Sequence, residues 1–233
     1  RFPYQQRIIN MTYPNPNISL KGKVAFISGA SKGIGVSIAE LFAAAGCDLA
    51  LTARNEQELK QTADNARNTG VKVWTQTAEM ADADEVKAVG NAALAEFGHI
   101  DILVNNAGVT IPQPILETTL ENFHTIINVN VLAPFLLTQI FAPSMIAKKK
   151  GKIVNVTSRA AIRAFPTGSV YSASKGALQL LTQSMAVEFG PHNIQTNSVA
   201  PTVTMTPMGD NAWPPSPRRD AKLAKIPTGR FAE

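Results

Sequence analysis

Cysteine is almost absent from this 233-residue chain: Cys47 stands alone, so no internal disulfide can form. Its place beside Gly46, in a helix-to-strand connection, reads as a buried structural thiol. Aromatic residues make up 6% of the chain. Few of them lie near basic residues, which argues against a surface that stacks nucleic-acid bases. No uninterrupted apolar run approaches the ~20 residues that span a bilayer. No apolar segment with a small-residue cleavage site opens the chain either. The expectation is a protein without membrane or nucleic-acid partners in a reducing compartment, cytoplasmic or else an organellar matrix. His99, His124 and His192 are isolated and lack ligand spacing, so no metal site is expected.

What is present fits one large domain. Apolar residues reach 45%, enough for a single buried core at this length. The formal charge is +5, but the positive residues are scattered. The one tight run, Lys148-Lys149-Lys150, reads as a solvated helix C-terminus favoured by the helix dipole. A basic balance also suits an anionic cofactor.

Residues 1–22 hold Pro, Asn and Tyr but no acidic residue, and they show no sustained period. They read as an N-terminal extension. Two origins fit: a native start at Met11 behind an added segment, or a trimmed targeting remnant. From Lys23 onward short apolar runs alternate with amphipathic stretches, the pattern of βαβ units. Strands are expected near 23–28, 48–53, 71–76, 101–105, 152–157 and 194–199. Helices are expected over 33–45, 55–69, 82–97, 119–147 and 170–189. The strands are continuously apolar, as in a parallel sheet covered on both faces. The fold class is α/β, a doubly wound parallel sheet in three αβα layers occupying residues 23–233, with its ligand site outside the strands' carboxyl ends.

Four segments carry chemistry. The first strand ends in Ser28-Gly29-Ala30-Ser31-Lys32-Gly33-Ile34-Gly35 and a helix follows at once. That order lets backbone approach a pyrophosphate at a helix N-terminus. Gly29 serves the turn, Gly33 the close approach and Gly35 helix-on-strand packing; a purely structural turn is the alternative. The second strand ends in Thr52-Ala53-Arg54-Asn55, with no acid to hold a ribose diol. Arg54, with Lys32, suits a 2′-phosphate instead. Asn105-Asn106-Ala107-Gly108 closes the fourth strand. Asn105 should tie strands together, while the small Ala107 and Gly108 leave room for a cofactor. Finally Ser158 ends the fifth strand, and Tyr171 and Lys175, four apart, share a helix face. A free tyrosine has a pKa of about 10 and needs a nearby cation to serve at neutral pH. Lys175 would supply it, and Ser158 would polarise a substrate carbonyl.

These segments resemble the short-chain dehydrogenase/reductase family. Its TGxxxGIG is written SGASKGIG, its NNAG stands unchanged, and its YxxxK is YSASK. Its serine precedes its tyrosine by thirteen positions, as 171 − 158 = 13 does here. The resemblance implies a Rossmann fold and a tetrad of Asn130, Ser158, Tyr171 and Lys175. It implies NADP(H) as cofactor, selected by Arg54. Contacts would come from Gly29, Ser31, Lys32, Gly33, Ile34, Gly35, Glu79, Met80, Asn106, Ala107, Gly108, Tyr171, Lys175, Pro201, Thr202, Val203 and Thr206. Two positions depart from the pattern: Thr202 replaces the glycine after Pro201, and Glu79-Met80 replaces an Asp and an apolar residue at the adenine. The family continues past the position of Glu233 with one more helix and strand, so these are expected to be missing from the chain. Assembly as a homodimer or homotetramer is implied if the C-terminus is intact.

Within the family the resemblance is densest with dicarbonyl/L-xylulose reductases, through APTVTMTPMG and IPTGRFAE. It implies reduction of a small polar ketone, dicarbonyl or ketose. Two alternatives share these residues: a 3-oxoacyl-carrier-protein reductase, which a basic patch beside the cleft would favour, and a nucleotide-binding scaffold without turnover.

Overall fold

A computed structural model describes residues 18–232. Most of the expected N-terminal extension, residues 1–17, and residue 233 lie outside the described residues. The described chain runs β1 (Val24–Ser28), α1 (Ile34–Ala44), β2 (Asp48–Ala53), α2 (Glu56–Arg67), β3 (Val73–Thr77), α3 (Ala83–Phe97) and β4 (Ile102–Asn105). It continues with α4 (Leu120–Ile127), α5 (Ala133–Lys148), β5 (Gly151–Val156), α6 (Ser169–Phe189), β6 (Ile194–Val199), α7 (Pro207–Ala212) and α8 (Pro217–Leu223). All strand pairs are parallel, in the order β3-β2-β1-β4-β5-β6. The chain therefore works outward from β1 to one edge, returns beside β1 and works to the other edge. The switch between β1 and β4 opens a crevice at the strands' carboxyl ends.

The alternation within β1 explains why both faces are apolar. Val24 and Phe26 join the α3 and α5 side chains Val86, Val89, Ala133, Leu137 and Phe141. Ala25 and Ile27 join Ala39 and Ala43 of α1 and Leu59, Ala63 and Ala66 of α2. The rings of Phe26 and Phe141 pack 5.0 Å apart. Truncating either to alanine removes ~3–5 kcal/mol. Cys47 is fully buried, and burial, reinforced by Asp48 and Asp101, pushes its thiol up to about 12. Among the described residues no group of three His, Cys, Asp or Glu is placed to hold a metal ion.

The expected helix over 119–147 departs from a regular helix. A π turn over Asn128–Leu132 interrupts it, with the Ala133 N–H donating to the Asn128 carbonyl. Pro134 gives the local cause: it lacks the N–H that a regular helix would offer to the carbonyl of Asn130. The stretch Leu120–Lys148 is long enough, and a window within it apolar enough, to cross a membrane by length and composition alone. Ala133, Leu137, Phe141 and Met145 nonetheless bury one side of it in the core. Beyond β6, α7 and α8 form a cap that strand-and-helix periodicity does not foreshadow. Its two ends are joined to each other by Met205 N–H to the Ala232 carbonyl (2.8 Å) and Ala232 N–H to the Val203 carbonyl (3.0 Å).

Candidate active site

The floor of the crevice is a splice between the ends of β1 and β4. The Ser28 hydroxyl accepts the N–H groups of Asn106 (3.2 Å) and Ala107 (3.1 Å). The Asn106 amide donates to the carbonyls of Ser28 and Gly29, each at 3.0 Å. Both amide protons of Asn106 are thus engaged in holding the glycine loop, so its side chain positions the cradle. Gly29 has φ 69°, and a Cβ there would lie 2.8 Å from the Ala107 Cα. A Cβ on Gly35 would collide with the Gly29 carbonyl.

The glycine loop delivers the chain to α1, whose N-terminus has no side-chain cap and no acidic residue in its first turn. Its leading N–H groups are left for an external anion. A side chain on Gly33 would meet Thr206, 2.9 Å away, so the segment after β6 closes over the loop. The donor set fits the pyrophosphate of a nicotinamide dinucleotide.

At the adenosine end, the two cations expected to meet a 2′-phosphate are already paired. Lys32 Nζ lies 2.8 Å from Glu58 Oε1, and Arg54 Nη1 lies 3.5 Å from Glu79 Oε2. Both cations are largely exposed, 57% and 71%. Glu79 also accepts the Ala81 N–H at 3.0 Å, so its carboxylate braces the turn after β3. Met80, expected beside the adenine, has its side chain buried against the core, at 4% exposure. An apolar residue after a strand end serves the core as readily as a cleft, and sequence does not separate the two.

The reactive groups converge where β5 ends. Lys175 is buried, 3% exposed, and its ammonium donates to the Val156 carbonyl at 2.8 Å. A Cβ on Gly108 would lie 3.2 Å from that ammonium, so glycine leaves the space in front of it clear. Burial lowers the Lys175 pKa to about 8. The ammonium sits 6.0 Å over the Tyr171 ring. Burial raises the Tyr171 pKa above the usual tyrosine value, and the Ser158 hydroxyl pulls it the other way. Desolvation is the larger influence on the Tyr171 hydroxyl, and the Lys175 ammonium lies over its ring. Ser158 also accepts the Ala160 N–H at 3.1 Å.

Asn130, fully buried in the π turn, accepts the Val109 N–H (2.9 Å) and donates to the Val109 carbonyl (3.0 Å) and the Ser174 hydroxyl (2.9 Å). Ser174 in turn donates to the Tyr171 carbonyl at 2.7 Å. This chain connects the loop after β4 to the tyrosine's helix. Asn105 bonds Asn155 at 2.8 Å, and Asn155 bonds Thr182 at 2.9 Å, tying β4 and β5 to α6. Ser28 and Ser174 escaped the sequence reading; each lies inside a motif, but a hydroxyl's partner is a property of the fold. Of the segment after β6, Pro201 accepts the Arg159 N–H at 3.0 Å, Thr202 is exposed, and Val203 anchors the cap.

A family profile described as short chain dehydrogenase matches residues 23–216. The chain is similar to L-xylulose reductase of Bos taurus, 42% identical over 93% of this chain and 86% of that protein. It is similar to a 3-oxoacyl-[acyl-carrier-protein] reductase of Thermotoga maritima, 35% identical over 92% of this chain and 86% of the other. Among solved structures, a gluconate 5-dehydrogenase from Burkholderia cenocepacia in complex with NADP and tartrate superposes with a TM-score of 0.85. It shares 32% identity and covers 92% of this chain and 84% of that one.

Proposed function

Because the chain belongs to the short-chain dehydrogenase family, we propose that it is an NADPH-dependent carbonyl reductase converting a small polar ketone, dicarbonyl or ketose to its alcohol. The observation that carries this reading is the junction of Tyr171, Ser158 and Lys175 at the carboxyl end of β5. The cofactor, when bound, supplies the hydride.

The remaining work falls to side chains of this chain. Burial keeps Tyr171 protonated at neutral pH, the form that donates a proton to the developing alkoxide. Ser158 holds the tyrosine hydroxyl and offers its own to the substrate oxygen. Lys175 has one acceptor in Val156 and donors to spare, suited to ribose hydroxyls, and its charge stabilises the phenolate left after transfer. Asn130 and Ser174 hold the tyrosine's helix in register with the loop after β4. Lys32 and Arg54 would exchange their carboxylate partners for a 2′-phosphate. The Bos taurus relative and the NADP-bound structural neighbour support both substrate class and cofactor.

The working unit on this reading is residues 23–233, with 1–22 as an extension. A second copy of the chain is the proposed partner for the apolar concavity lined by Ile127, Val131, Leu132, Phe135, Leu180 and Leu181, giving a homodimer or homotetramer. The Thermotoga maritima relative, with Arg159 and Arg163 in the turn that follows Ser158, favours a second reading, a 3-oxoacyl-carrier-protein reductase. One paired assay decides: diacetyl or xylulose should be reduced with a higher kcat/KM than an acetoacetyl thioester. The opposite ranking would promote the acyl-carrier reading.

A further inference from the structure

A tight turn precedes Tyr171 and is built at some conformational cost. Phe165-Pro166-Thr167-Gly168 is closed by the Gly168 N–H, which donates to the Phe165 carbonyl at 3.2 Å. Proline fixes a negative φ at the second position and Thr167 has φ 64°, the combination of a type II turn. That third position suits glycine, and a β-branched side chain there is strained. The turn is braced from outside. The Gln113 N–H donates to the Thr167 carbonyl at 2.9 Å, and the Asn122 amide donates to the Gln113 side-chain carbonyl at 2.9 Å. Strain held in place by its surroundings is found where a segment must present a group in one orientation.

The group presented is the ring of Phe165. It folds back on the start of α6, where a Cβ on Gly168 would lie 2.3 Å from the ring, so glycine is what admits it. Its centroid lies 6.2 Å from that of Tyr171, with the two planes 59° apart. Phe165 is nonetheless 37% exposed, and Tyr171 is its one aromatic partner among the described residues. An aromatic residue that served packing alone would be covered, and one on idle surface would not be fixed by a braced, strained turn. Phe165 also belongs to the segment joining Ser158 to Tyr171, the two residues whose hydroxyls meet the substrate oxygen on the reductase reading.

We propose that Phe165 is the specificity-determining wall of the carbonyl site, favouring α-dicarbonyls whose substituent is a flat apolar ring over those with a small alkyl group. The proposal rests on the reductase reading and narrows its substrate class. A carbonyl bound to the Ser158 and Tyr171 hydroxyls has one substituent on the Phe165 side of the site. An aryl group there packs offset or edge-on against the Phe165 ring and removes its exposed part from water. A methyl group covers little of it. The strained turn keeps the ring in place whether or not substrate is bound, so the wall is formed in advance.

The test compares 1-phenyl-1,2-propanedione with 2,3-butanedione, each assayed with NADPH and with NADH. The aryl compound should have the higher kcat/KM in the parent protein. Because the two differ in intrinsic reactivity, their ratio is then followed across variants. Phe165→Ala should lower that ratio by roughly 3- to 10-fold, the worth of one aromatic contact, chiefly through the KM of the aryl compound. Phe165→Tyr, which keeps the ring, should hold the ratio near the parent value. Phe165→Leu, which keeps apolar bulk without a ring, should fall between them, and it replaces the alanine variant if the melting temperature shows that alanine unfolds the protein. A ring that merely supports Tyr171 would cost both substrates equally and leave the ratio unmoved. That outcome would overturn the proposal, as would a preference for 2,3-butanedione in the parent. Failure of every carbonyl with both cofactors would instead remove the reductase reading and the wall with it.

Discussion

Lys32 and Glu58 face each other at 2.8 Å across the gap between the glycine loop and α2. This pair places a carboxylate beside one of the two cations that a 2′-phosphate would engage. Exposed pairs of this kind contribute little to stability, so a phosphate can displace Glu58 readily. NADPH should be preferred over NADH by roughly 10- to 150-fold, the equivalent of one charge-assisted contact worth about 1.5–3 kcal/mol. Arg54→Asp should abolish or reverse the preference, and Glu58→Gln should strengthen NADPH binding by freeing Lys32. Equal kcat/KM for the two cofactors in the unmutated protein would defeat the assignment.

Replacing Tyr171 by Phe keeps the ring and removes the proton. Turnover should fall by about 10²–10⁴-fold, while cofactor affinity and the melting temperature stay near those of the parent. Lys175→Ala should impair both turnover and cofactor binding. If Tyr171→Phe turned over normally, the proton would have to come from elsewhere.

Lys175 also sets a pH dependence of stability. Its folded pKa is about 8, below the usual lysine value of 10.5, because burial penalises the ammonium. Between those values the unfolded chain binds more protons, so this group makes stability rise with pH across that window. Below pH 8 the penalty is present in full. Lys175→Met, without cofactor, should therefore be more stable than the parent at pH 7, with the gap narrowing toward pH 10.5. Urea midpoints at neutral and alkaline pH would show it; a gap independent of pH would contradict the buried ammonium as its source.

Leu180 is 64% exposed and Phe135 39%, and both line the apolar concavity between α5 and α6. A charge in its centre is costly to desolvate in an interface. Leu180→Asp should shift the protein toward monomer in sedimentation velocity. An unchanged association state would place the interface elsewhere.

Much of this fold is legible in the chain because its signals are local. β2 and β6 fall at their expected bounds, and helix ends lie within a residue or two, since apolar runs and caps such as Asn55 and Asp82 mark them. The π turn is hidden because Asn128–Leu132 keeps the apolar spacing of a helix; only Pro134, four residues beyond Asn130, signals the lost hydrogen bond. Met80 is ambiguous in sequence because an apolar side chain after β3 can face either core or crevice.

If small dicarbonyls are reduced here, as proposed, the buried Cys47 bears on how the protein survives them. α-Dicarbonyls are electrophiles that add to thiolates, and a thiol with a pKa of about 12 is ionised at neutral pH only to the extent of ~10⁻⁵. The chain's lone sulfhydryl is enclosed as well as protonated. Adduct formation by a reactive carbonyl is thereby turned away from sulfur, and a catalyst that must work in its presence carries no thiol that such damage can readily reach.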